Sequence, residues 1–186
     1  MLSRCVMAIV ALLPSIAFAQ QLPPVPEPAE NPISEEKRVL GKALFWDEQL
    51  SSDNTVSCGT CHIFSSAGSD PRLGEHPGPD GLFGTDDDII GSPGIVRSDS
   101  DNSYLPDGTF GLSRQVTNRA APSVIGSQWA TELFWEGRAG STFLNPETGA
   151  VSIASGGALE NQAAGPPVSG VEMAHEARNW GMIAKK

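Results

Sequence analysis

Apolar positions recur at helical spacing in only a few places along this chain. Val39, Leu40, Ala43 and Leu44 form one such stripe, and it predicts an amphipathic helix to about Phe45. Ser34 offers the N-cap, and Glu35 and Glu36 suit the positive end of that helix. Asp47 to Thr55 reads as a polar turn. Ser57 can cap a short helix carrying Cys58, Cys61 and His62. From Ser65 to Thr117 helical periodicity almost vanishes, and Gly, Pro, Asp and Ser crowd the sequence. So long an irregular stretch is usually functional or disordered. Beyond it, Pro122 and Ser123 can open a helix through Val124, Ile125, Trp129 and Leu133, ended by Phe134 to Arg138. A second Gly-rich stretch, Asn145 to Gly157, leads to Leu159–Pro166. A last helix is predicted to begin at Val171–Glu176. No internal repeat is present. The expected fold is mostly α with unusually long irregular loops.

The chemistry is concentrated in Cys58-Gly59-Thr60-Cys61-His62, a C-x-x-C-H. That spacing suits covalent haem: two thiols bond the two vinyl groups, and the adjacent imidazole reaches the iron. Other readings compete. A thioredoxin-like redox pair wants a surrounding βαβ pattern, which is not found. A structural zinc site needs four ligands, and His76 and His175 stand unpaired and far apart. A surface disulfide remains open in an oxidising compartment. The haem reading makes the expected fold a mostly α haem domain with long loops.

The N-terminus adds a destination. Arg4 precedes an apolar run from Val6 to Phe18, and Ala17-Phe18-Ala19 is an A-x-A cleavage site. Residues 1–19 read as a signal peptide, 20–32 as a Pro-rich linker, and 33–186 as the haem domain. The apolar run is too short to span a bilayer, so no membrane anchor is expected after cleavage. A retained anchor is the alternative. Cleavage removes Cys5 from the three cysteines and takes the formal charge from −10 to −11 by loss of Arg4. The two remaining cysteines both lie in the haem motif. Export places the protein in the periplasm. Its acidity argues against nucleic acid and against anionic lipid surfaces as partners. With 20 glycines and 15 prolines in 186 residues, loops abound, and covalent haem is expected to supply much of the core.

One further cluster stands out. Asp80 and Asp86 to Asp88 lie in the Gly-rich segment Pro77–Asp88. Asp80, Asp86 and Asp88 would suit a hard cation such as calcium. The register is not that of an EF-hand, and a solvated acidic loop is the other reading.

Together the motifs resemble the bacterial di-haem cytochrome c peroxidases, the family that also contains the MauG-type enzymes. The resemblance runs from about Ile33 to Trp180. It is carried by Leu40–Asp47, the C-x-x-C-H, Arg119-Ala120-Ala121-Pro122-Ser123, Leu133–Ala139, Gln162 before Gly165-Pro166, and Val171-Glu172-Met173. It implies the N-terminal, peroxidatic haem domain of a protein built from two cytochrome-c-like domains. His62 would be the proximal iron ligand, Glu172 the distal acid–base carboxylate, Gln162 the distal amide, and Trp135 the tryptophan between the haems. Hydrogen peroxide would be reduced to water with electrons from a second haem or a small periplasmic donor, a cytochrome c or a cupredoxin. A homodimer is compatible with the resemblance.

Three departures are visible. No histidine lies in Phe110–Thr117, where members often carry a distal one. Ala120 follows Arg119 where members have a calcium-binding asparagine, and Asn118 stands on the other side. The second C-x-x-C-H is not in these residues, so the chain is expected to be a fragment or a truncated reading frame, with a one-haem relative as the alternative. Two other functions compete with peroxidase: a mono-haem electron carrier, and a MauG-like oxidase of a protein substrate. A carrier would fill the sixth iron position from Met173, His175 or His76.

Overall fold

The computed structural model describes residues 21–72 and 74–186. The expected signal peptide lies outside them. Helix α1 (Glu35–Trp46) forms where its pattern predicts it. Ser34 Oγ accepts the Lys37 amide, and Asp47 stops the helix by turning its carboxylate to the Gln49 amide at 2.9 Å. None of its residues is buried. Helix α2 (Cys58–Cys61) is one turn long, with Ser57 as its N-cap residue. Thr60 Oγ1 reaches back to accept the Ser57 amide at 2.9 Å. The two helices meet where the Trp46 indole lies on Gly59. A Cβ there would sit 2.4 Å from the ring.

The chain is not mostly α. Helix accounts for 23% of it and strand for 16%, in several small antiparallel sheets. The stretch expected to be irregular pairs with itself instead. Strand β1 (Gly74–His76) pairs with β2 (Ile89–Gly91) across the acidic loop, with Glu75 opposite Ile90. Strand β3 (Pro93–Val96) pairs with β4 (Arg114–Val116), Pro93 opposite Val116, with an irregular register before Val96. A third pair, β5 (Phe143–Leu144) and β6 (Val151–Ile153), closes the second Gly-rich stretch. Helix α3 (Ala158–Ala163) follows, and α4 (Trp180–Ile183) ends the fold.

Two predicted helices are lost for identifiable reasons. Between Val124 and Leu133 only a 3-10 turn forms, at Ser127–Trp129. The Val124 amide goes to the Gly68 carbonyl, the Ile125 amide goes to Ser123 Oγ, and Gly126 adopts φ +85°. Each removes a donor or a dihedral that a helix needs. Phe134–Arg138 is likewise a turn, not a helix end. Phe134 has φ +64°, and Leu133 bridges Ala139. From Val171 onward the amides of Glu172, Met173 and Ala174 all converge on the Ser169 carbonyl, and the Glu176 amide goes to Ser98. The segment is a knot of turns, and helix resumes only at Trp180. No helix among the described residues is long and apolar enough to cross a membrane.

The core is small. Val56, Ile95 and Met173 form its buried cluster, with Leu50 packed against it. Ile95 is wholly buried, which stabilises by about 1.5–3 kcal/mol. The cluster joins the segment before α2, strand β3 and the Glu172 turn. Arg178 reinforces it: its buried Nη1 donates to the Leu50 carbonyl at 2.6 Å and to that of Met173 at 3.1 Å.

Strand β3 can approach the Glu172 turn because Gly94 has no side chain. A Cβ on Gly94 would lie 1.8 Å from the Val171 carbonyl oxygen. Gly94→Ala is expected to lower stability by about 1–3 kcal/mol or more through overpacking. Urea titration checks this, with the midpoint falling and the slope unchanged.

Candidate haem site

His62 follows α2 and closes it, its amide donating to the Cys58 carbonyl at 2.9 Å. The imidazole is held from one side. Nδ1 lies 3.0 Å from the Gly68 carbonyl and 3.0 Å from the Pro122 carbonyl. Both partners only accept, so Nδ1 carries the proton and donates to them. The Nε2 lone pair is left free for a metal.

Each carbonyl has its own support. Gly68 has φ +73°, and a Cβ there would lie 2.5 Å from the Val124 side chain. Pro122 is placed by its neighbour, since the Ala121 amide donates to Ser92 Oγ at 2.9 Å and the Ala121 carbonyl accepts the Asp70 amide at 3.1 Å. Buried Ser92 also donates its amide to the Arg119 carbonyl and accepts the Thr117 amide. One serine thus pins Arg119–Pro122 to the β2–β3 junction.

Cys58 and Cys61 are free thiols, half-buried. Burial pushes both up from the ordinary thiol range. For Cys61 the Asp70 and Glu172 carboxylates add to burial, and the Arg72 guanidinium opposes them. Arg72 grips Asp70 through two hydrogen bonds, Nε to Oδ1 at 2.9 Å and Nη2 to Oδ2 at 3.0 Å. It also donates to the Thr60 carbonyl between the cysteines. The Asp70 side chain is wholly enclosed. Burial pushes its carboxyl up, but hydrogen bonds from Arg72 and Ser92 outweigh that and hold it below the usual carboxylate range.

Cys58, Cys61 and His62 open into a cavity of about 590 Å³, within the range of about 300–1,000 Å³ typical of ligand pockets. Phe45, Val124, Phe134, Leu159, Pro166 and Met173 give it an apolar lining. Gln162 from α3, Glu172 and Trp135 share it. The three side chains that the sequence resemblance marks therefore line the same cavity as the cysteine pair. Two reduced thiols, a histidine with its far nitrogen free and an apolar cavity of this size fit a covalent haem. Trp135 is 89% exposed at the rim. Among the described residues, the Glu172 carboxylate has no side-chain hydrogen bond or ion pair.

The alternative axial ligands fare differently. His76 meets Phe110 edge-to-face, ring centroids 4.6 Å apart, and its Nδ1 accepts the Gly78 amide at 3.2 Å. His175 Nδ1 lies 2.8 Å from Ser52 Oγ. Neither lines the cavity. Met173 does, but it is a core residue.

The acidic loop turns its carboxylates on itself. Asp80 accepts the Leu82 amide, Asp87 accepts the Asp80 amide and the Thr85 hydroxyl, and Asp88 accepts the Gly84 amide. Asp86 is exposed. Among the described residues no three acidic, His or Cys side chains converge as a metal site would need.

Sequence reasoning missed Ser92, Gly68, Arg178 and the Asp70–Arg72 pair. Only the last left a signal, opposite charges two residues apart shortly after the haem motif.

Comparison with known proteins gives the family. The family model described as di-haem cytochrome c peroxidase matches residues 35–186. The chain is 28% identical over 164 residues to the cytochrome c peroxidase Ccp of Escherichia coli, covering 88% of this chain and 24% of that protein. It is 33% identical over 117 residues to the methylamine utilization protein MauG of Methylorubrum extorquens, covering 63% and 24%. The chain thus spans about a quarter of the length of these relatives. A solved MauG-like protein associated with microbial copper homeostasis is 26% identical, with a TM-score of 0.47, covering 91% of this chain and 35% of that one.

The Asp70–Arg72 pair sets a pH dependence. The folded carboxyl titrates below its unfolded value of about 3.9, so the native state binds fewer protons there. Its contribution is complete above that unfolded value and is lost as pH falls through the folded one. Asp70→Asn is expected to cost about 1.5–3 kcal/mol at neutral pH and to flatten the acid limb of stability. Urea midpoints across an acid-to-neutral pH series check both; an unchanged acid limb would assign it to other carboxylates.

Proposed function

The chain belongs to the di-haem cytochrome c peroxidase family, and on that footing we propose that it is the N-terminal, peroxidatic haem domain of a periplasmic peroxidase. One haem c would be bonded by Cys58 and Cys61, with His62 Nε2 on the iron. The reaction is the reduction of hydrogen peroxide: one peroxide, two electrons and two protons give two waters. The haem supplies the redox-active iron. Electrons come from a second haem or from a small periplasmic donor, a cytochrome c or a cupredoxin.

The observation that carries this reading is one cavity joining Cys58, Cys61 and His62 to Glu172 and Gln162. Glu172 moves the proton between the two peroxide oxygens as a general acid–base. Its carboxylate is free to do so, because its own anchoring runs through the main chain, from the amide to the Ser169 carbonyl at 3.2 Å. Gln162 holds the peroxide by hydrogen bonding without titrating. Gly68 and Pro122 hold Nδ1 of the cavity-lining His62 and leave Nε2 unbonded for the iron. Trp135, at the rim, is the relay to the electron source. Its exposure also suits the MauG-like alternative, in which a protein substrate docks there and gives up the electrons. The electron-carrier alternative would need Met173 to leave the core, since His76 and His175 are engaged elsewhere.

Two experiments test this. In the exported protein, haem should stay with the polypeptide on denaturing gels and resist acid–acetone extraction; extractable haem would end the covalent reading. Glu172→Gln should keep haem content and the ferric spectrum while slowing the first reaction with peroxide about a hundredfold, the lower end of general acid–base contributions. An unchanged rate would move the proton transfer to another residue.

A further inference from the structure

Haem c spends its two vinyl groups on the thiols and keeps two propionates. A carboxylate drawn toward an apolar cavity requires a cationic or hydrogen-bonding partner. Apart from His62, the cavity lining among the described residues holds two cationic side chains, Arg119 and Arg138. Both are assigned one counter-charge, Glu136. Arg119 Nη1 meets Glu136 Oε1 at 2.7 Å, whereas Arg138 Nε is 3.9 Å from the same oxygen, beyond hydrogen-bonding distance. Arg138 instead lies over the Phe134 ring, 3.9 Å from its centroid. A guanidinium stacked on a ring keeps its edge donors available.

Two cations thus share one paired carboxylate, Glu136, at this cavity, while the Glu172 carboxylate in the same lining pairs with neither arginine. Both arginines are held in advance of any ligand. The Arg119 carbonyl accepts the Ser92 amide at 3.1 Å and Thr117 Oγ1 at 2.6 Å. Arg138 sits between Gly137, at φ +70°, and buried Ala139, which pairs with Leu133.

We propose that Arg119 and Arg138 form the carboxylate-recognition site of this cavity and pair with the two propionates of the haem bonded by Cys58 and Cys61. The inference rests on the haem reading above and adds the groups that fix the carboxylate edge. Glu136 holds Arg119 toward the site and ties it to the turn that carries Trp135. A guanidinium beside a propionate favours its ionised form. A neighbouring opposite charge lowers a carboxyl proton affinity by about 10- to 1,000-fold.

The test uses the exported, haem-bearing protein and measures the reduction potential across pH. In the parent, the propionate inflection should lie at low pH. Arg119→Gln and Arg138→Gln should each move it upward, raising the propionate proton affinity about tenfold or more, with the potential falling because the oxidised iron loses less by the removed charge. Arg138→Lys should recover most of the charge effect. If the arginines only clamp the Trp135 turn, thermal stability changes while the inflection stays at the parental pH in both Gln variants, and the proposal is wrong. Should Arg119→Gln not yield folded protein, the Arg138 pair of variants decides. Haem absent from the parent on a denaturing gel would instead end the haem reading, and this site with it.

Discussion

A single imidazole nitrogen held between two carbonyls is the constraint on which this fold turns. Nδ1 of His62 can satisfy Gly68 and Pro122 together only if three loops meet behind it. The loop from Ile63 to Gly68 must fold back, Ser92 must sit beneath Ala121, and Arg119–Pro122 must cross above. Apart from one 3-10 turn at Phe64–Ser66, none of these segments is regular structure. Their amides and carbonyls are satisfied by one another and by buried hydroxyls, which is how irregular chain can be enclosed at all. The opposite wall is set the same way, by Ser169 gathering three amides and Arg178 gathering carbonyls.

Such a construction demands close approach between backbones. Gly59 lies under an indole, Gly68 under Val124, Gly91 against Thr117 and Gly94 against Val171. At each of them a β-carbon would intrude on its neighbour. These four glycines are therefore not looseness. They set how near the loops can come, and so how closely Glu172 faces the cysteine pair.

The sequence was most legible where local chemistry decides the outcome. Ser34, Asp47 and Ser57 act as their types predict, so α1 and α2 stand where expected. The convergence of Glu172, Gln162 and Trp135 on the C-x-x-C-H cavity was also legible, through the ordered motifs rather than through periodicity. Illegible were the places where tertiary bonds override pattern. Val124 and Ile125 look helical, but their amides are taken by Gly68 and Ser123. Glu172 looks like a helix start, but Ser169 captures its amide. The hairpin pairs between Gly74 and Val116 show little alternation, because their registers are set by short contacts and glycines. Ser92 and Arg178 could not have been singled out, since a lone serine or arginine carries no spacing signal.

The modest apolar cluster around Ile95 has a consequence for assembly. Phe45, Val124, Leu159 and Met173 line the 590 Å³ cavity, so a group seated there would add apolar contacts to those of the small Val56–Ile95–Met173 cluster. A reversibly bound group would do so by mass action, and the stability it lends would decline on dilution. Bonds to Cys58 and Cys61, as proposed above, would abolish that concentration dependence. The filled cavity would then be a permanent part of the chain, secured by attachment rather than by a maintained equilibrium.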